Sequence, residues 1–108
     1  MPNPVEKALE LLRDGEGWCQ GTFMTKSLWT DNTKYCSVGA AIASRYDGNL
    51  PAHLTDGDWD VPRYLNKAVQ ELGLGRLVMD FNDRENTKFE DVKHVFEVAA
   101  KLWERDHE

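Results

Sequence analysis

Cys36 opens the run Cys36-Ser37-Val38-Gly39-Ala40, whose composition predicts a short helix, and the field at a helix N-terminus favours a thiolate over a thiol. In chain order Gln20, Cys36, His53 and Asn82 supply the side-chain types of a thiol hydrolase: an amide donor for the developing oxyanion, a nucleophile, a base and an orienting amide. Order alone carries little weight in a chain with three histidines. The local cysteine signature of that enzyme class is absent, and a cysteine beside Val38 and Ala40 reads equally as a small buried hydrophobe. Catalysis by Cys36, His53 and Asn82 is therefore the alternative expectation, to be judged by whether the side chains meet in space.

Asp56-Gly57-Asp58-Trp59-Asp60 places carboxylates at alternate positions, as in the first half of a calcium loop. The second half fails, because Val61 stands where the glycine is needed and Lys67 where a bidentate glutamate is needed. Cys19, Cys36, His53 and His94 lack the paired spacing of a zinc site. No metal and no cofactor is expected. Asn82 and Asp83 fall in a turn ahead of a capped helix, where such residues commonly bond their own backbone. Asp83 and Gln20 are also candidates for the polar wall of a cleft.

Trp18, Trp29 and Trp59, with Phe23 and Tyr35, lie outside the expected helices. Most of these aromatics are needed as a lid over a small core, but Trp29 and Trp59 are flanked by Thr30, Asp31, Asp58 and Asp60 and are expected to stay exposed. Trp29, Asp31, Asp58, Trp59 and Asp60 are thus the candidate binding surface, since exposed indoles dominate protein-binding hot spots.

The elements that must position these groups follow from spacing. Asn3-Pro4-Val5-Glu6 is a helix start, with an acceptor at the cap, proline in the first turn and a carboxylate able to take the cap N–H; Val5, Ala8, Leu9 and Leu12 form its stripe and Gly15 and Gly17 end it. Residues 16–35 lack a helical period and predict one short strand and a polar turn at Thr30-Asp31-Asn32-Thr33. Cys36 to Ser44 is small and apolar on nearly every side, the composition of a helix buried mid-domain. Asp60 is expected to cap a third helix striped by Val61, Leu65, Ala68, Val69 and Leu72. Arg76 to Phe81 is ambiguous between strand and helix. Thr87-Lys88-Phe89-Glu90 reads as a capping box for the clearest helix, striped by Val92, Val95, Phe96, Ala99, Leu102 and Trp103. The expected fold is mainly α with a minor short-strand element, about four helices packed around a central small-residue helix, in one domain spanning residues 1–108.

Composition narrows the function classes. The net charge of −6 comes without any basic cluster, which disfavours direct nucleic-acid binding, whose affinity depends on neutralising phosphates. No apolar run reaches membrane-spanning length, and Met1-Pro2-Asn3-Pro4 lacks the basic start of a signal peptide, so a cytoplasmic protein with no membrane association is expected. Two free thiols, Cys19 and Cys36, fit that compartment.

Gly17-Trp18-Cys19-Gln20-Gly21, Tyr35-Cys36-Ser37-Val38-Gly39-Ala40 and Phe81-Asn82-Asp83 ahead of Thr87 resemble a family of small uncharacterised proteins from actinobacteria and their phages. That family has a Gly-Trp-x-x-Gly segment, a Cys-x-x-Gly-Ala helix start and an aromatic-Asn-Asp turn, with tryptophan more usual where this chain has Phe81. The resemblance spans residues 5–103 and implies an actinobacterial or phage origin, without assigning an activity. The expected function is a non-catalytic, phage-encoded interaction module that binds a host bacterial or phage protein through an acidic surface with exposed aromatics. The alternative is a small thiol-dependent hydrolase or small-molecule binding protein with a cleft around Cys36.

Overall fold

Apolar helical stripes need a surface to bury against, and in this chain three of the helices share one, which is itself a helix. The computed structural model describes residues 3–26 and 32–107. Its elements in chain order are helix α1 (Pro4–Leu11), strands β1 (Met24–Lys26) and β2 (Thr33–Tyr35), and helices α2 (Ser37–Ala43), α3 (Asp60–Glu71), α4 (Val78–Asn82) and α5 (Phe89–Asp106), with short 3-10 turns at Arg13–Gly15, Ser44–Tyr46 and Asp56–Trp59. The fold is mainly α with a minor two-stranded antiparallel sheet.

Every residue of α2 is buried. It is the centre against which α1, α3 and α4 pack, while α5 closes over α1 and α3. Small side chains make this possible, because Gly39, Ala40, Ala41 and Ala43 let backbones approach where larger residues would hold them apart. Gly39 is the tightest case: a Cβ there would overlap the carbonyl oxygen of Phe23, so the chain leading into β1 lies directly on α2.

The ends of α1 and α5 match the sequence closely, with informative differences. Asn3 Oδ1 accepts the Val5 N–H at 2.9 Å, as an N-cap should, and Asn3 Nδ2 donates to the Ala100 carbonyl at 3.0 Å, fastening the start of α1 to α5. Val5, Ala8 and Leu12 are fully buried. On α5 the stripe Val92, Val95, Phe96, Ala99 and Leu102 is buried, but the expected box of Thr87 and Glu90 is displaced by one residue. Asp91 takes the Lys88 N–H at 3.0 Å, and the Thr87 hydroxyl donates instead to the Phe81 carbonyl at 2.7 Å.

Two other sequence expectations are corrected, and one left open is decided. The described residues between 16 and 35 hold two strands rather than one, paired with Met24 opposite Tyr35, and Thr30 and Asp31 of the expected turn lie outside the described residues. Of the ambiguous stretch from Arg76 to Phe81, the part from Val78 on is helical and belongs to α4, whose first N–H, on Val78, is taken by Asn66 Oδ1 of α3 at 2.8 Å. Asp60 does not cap α3: the chain enters that helix from the 3-10 turn, and Asp58 takes the Thr55 N–H at 2.7 Å. No helix among the described residues is long and apolar enough to cross a membrane.

Candidate functional site

The three segments that stand out in the sequence meet at Asn82. Its side chain is fully buried at the end of α4. Asn82 Oδ1 accepts from the Trp18 indole at 2.7 Å, from the Ser37 hydroxyl at 2.6 Å and from the Ser37 N–H at 3.0 Å. Asn82 Nδ2 donates to the Cys19 carbonyl at 3.1 Å and to Asp83 Oδ1 at 2.9 Å. One amide therefore holds the first N–H of α2, the segment before β1 and its own neighbour. A buried amide with both ends satisfied specifies the arrangement, since its loss would take a partner at once from the Trp18 indole, the Ser37 N–H and hydroxyl and the Cys19 carbonyl.

Gln20 and Asp83 complete this tie. Gln20 Nε2 donates to the carbonyls of Asn82 at 2.8 Å and Arg84 at 2.9 Å, and Asp83 Oδ1 accepts the Gly21 N–H at 2.9 Å. Of the two residues expected to wall a cleft, Asp83 lines one, while the Gln20 amide is spent on backbone carbonyls. The cleft has a volume of about 260 Å³ and is lined by Gly21, Thr22, Phe23, Cys36, Met79 and Asp83. Its lip is the 21–23 segment, its floor is the sulfur side chains of Cys36 and Met79, and its rim carries one carboxylate. Phe23 is 41% exposed, so a large apolar ring is presented to solvent beside the opening.

The thiol at this floor is unlike an activated nucleophile. Cys36 is buried, and its sulfur serves as N-cap of α2, accepting the Gly39 N–H at 3.3 Å. Burial pushes its thiol up, against the opposing pull of the N–H groups of Gly39 and Val38. The thiolate expected from the helix field is therefore outweighed by desolvation. His53 lies exposed in the loop before the Asp56–Trp59 turn with no hydrogen bond to Cys36, and Asn82 is committed at both ends of its amide, so the Cys36, His53 and Asn82 set is not assembled.

The expected binding surface is also redistributed. Trp59 is half-buried and packed on the core rather than exposed, and Asp58 is buried within a cluster where it accepts from the Tyr46 hydroxyl at 2.6 Å, from Arg45 at 2.8 Å and from the Thr55 N–H at 2.7 Å. Burial of a carboxylate is tolerated because each donor replaces a lost water. Asp60 is exposed and paired with Arg63 at 3.0 Å. Trp29 and Asp31 lie outside the described residues. Phe23, Thr22 and Met79 were missed as site residues. The available signal was Gly21 beside Gln20 ahead of an aromatic residue, which marks a turn but not a lip.

Among the described residues no group of three or more His, Cys, Asp and Glu side chains is placed to hold a metal ion. Residues 3–102 match the model of a family of unknown function, DUF6197. No curated protein and no solved structure matches the chain.

Proposed function

The chain belongs to the DUF6197 family, and from the site just described we propose that it is a non-catalytic interaction module that docks a basic segment of a partner protein at the Phe23–Asp83 cleft. The observation that carries this reading is the pairing of an exposed aromatic ring with a single carboxylate across a small apolar floor. That combination suits a lysine or arginine with an apolar neighbour, whose stem packs on Phe23 while its charge meets Asp83. The net charge of −6 favours the same class of partner by steering. A phage-encoded origin, with a host or phage protein met in the cytoplasm, extends the resemblance noted in the sequence.

The thiol-hydrolase alternative has less support, because the sulfur that reaches the cleft is engaged as the cap of α2, is desolvated and has no hydrogen bond to His53. The test is affinity capture from an actinobacterial lysate with wild type and Phe23→Ser, each at low and high salt. A partner retained by the wild type, released by salt and lost in Phe23→Ser with an unchanged circular dichroism spectrum supports the proposal. Equal retention by both proteins, or no capture at any salt, removes it.

A further inference from the structure

The Cys19 N–H donates to the Tyr35 carbonyl at 3.0 Å and the Tyr35 N–H donates to the Gly17 carbonyl at 2.7 Å. Gly17 to Cys19 therefore runs parallel to β2, with Trp18 paired to Tyr35. Strands so paired lie about 4.7–4.9 Å apart, and the next residues along the two chains are Cys19 and Cys36. Disulfides join Cα atoms separated by about 4.4–6.8 Å. Both cysteines are free thiols, and both feel the carboxylate of Asp83. Their backbones are anchored, the Cys19 carbonyl by Asn82 Nδ2 at 3.1 Å and the Cys36 N–H by the Phe23 carbonyl at 3.2 Å.

We propose that Cys19 and Cys36 are a redox modification site, closing to a reversible disulfide on exposure to low-molecular-weight disulfides and so fastening the 19–22 segment to the start of α2. Cys19 is half-buried and Cys36 buried, so Cys19 reacts first. Deprotonated Cys19 attacks one sulfur of the reagent, the reagent S–S bond breaks, and a thiolate leaves and takes up a proton. Cys36 then loses its proton and attacks Cys19 Sγ, displacing the second reagent thiolate, which is protonated in turn. Two electrons and two protons pass to the reagent, which ends as two thiols. The protein contacts given up are those of the two thiols, the Cys19 S–H donating to the Thr22 carbonyl at 3.7 Å and the Gly39 N–H donating to Cys36 Sγ at 3.3 Å. This inference is independent of what the cleft binds.

The test uses the folded full chain with oxidised glutathione, quenched in acid and read by intact mass, beside Cys36→Ser, which keeps an acceptor for the Gly39 N–H, and Cys19→Ser. The expected wild-type product has lost two hydrogen atoms, carries no adduct, yields a peptide pair joining positions 19 and 36, and reverts with dithiothreitol. Cys36→Ser should accumulate one glutathione on Cys19, and Cys19→Ser should stay unmodified over the same time. A stable glutathione adduct, an intermolecular dimer or an intact dithiol in the wild type overturns the proposal.

Discussion

The carbonyl oxygen of Phe23 rests against the Cα of Gly39, in the space any Cβ at that position would take. The close approach seats the lip of the cleft on the central helix, and it can be tested by adding one methyl group. Gly39→Ala must displace the Phe23 backbone, which also breaks the bond from the Cys36 N–H to that carbonyl. We expect a loss of roughly 1–3 kcal/mol despite alanine's better helix propensity. Urea unfolding measures it; a stabilised variant would mean that the lip does not lie where it is described.

Asn82 is the second such position. Asn82→Leu is close in volume but removes the acceptor of the Trp18 indole and of Ser37, and the donor to the Cys19 carbonyl. With several buried partners left unsatisfied, the expected cost is about 2–4 kcal/mol. Trp18 should report the same change as a shift in its fluorescence, measured beside chemical denaturation.

Two aromatics should behave in opposite ways. Trp59→Ala uncovers core that the half-buried indole protects, for an expected loss of roughly 1–3 kcal/mol, below the value for a fully buried aromatic. Phe23→Ser, at an exposed site, should leave stability within about 0.5 kcal/mol of wild type. Thermal melts of the pair decide whether the aromatic surface is arranged as described.

Phe96 is 1% exposed at the middle of the α5 stripe, and Phe96→Ala should cost roughly 3–5 kcal/mol through lost transfer energy and the cavity left behind. An unchanged denaturation midpoint would contradict the placement of α5 against the core.

Acid should act through Asp58. The hydrogen bond from the Tyr46 hydroxyl, with the Thr55 N–H next, holds its carboxyl below the ordinary 3.8. A carboxyl depressed in the folded state binds its proton more readily when unfolded. Its contribution is therefore whole above the unfolded value and is lost as pH falls through the folded one. The wild type should lose melting temperature between pH 5 and pH 3 more steeply than Asp58→Asn, which starts lower and has no carboxylate to protonate. Parallel slopes would show that Asp58 does not contribute to acid unfolding.

Much of the architecture was readable because it depends on local rules. The Asn3-Pro4 start of α1, the small-residue composition of α2 and the stripes of α3 and α5 each announce an element from a few consecutive residues. The site was less legible because its bonds cross the chain. Trp18, Ser37 and Asn82 have ordinary reasons to be where they are in sequence, and nothing local says that one amide will bond both others. Asp58 was misplaced for a related reason: an acidic loop reads as solvated until Arg45 and Tyr46 are found facing it. Cys36 was read correctly as a helix start, but the competition between helix field and burial is decided by surroundings that spacing does not encode.

Because the same amide both starts α2 and secures the neighbouring loop, inherited change at this end of the molecule has unequal room. Substitutions at Asn82, Ser37 or Gly39 would be eliminated as folding defects before any effect on recognition could be selected. The exposed side chains of Thr22 and Phe23 line the opening, whereas Met79 beside them packs on the core, so the first two have the most room to change without a cost in folding.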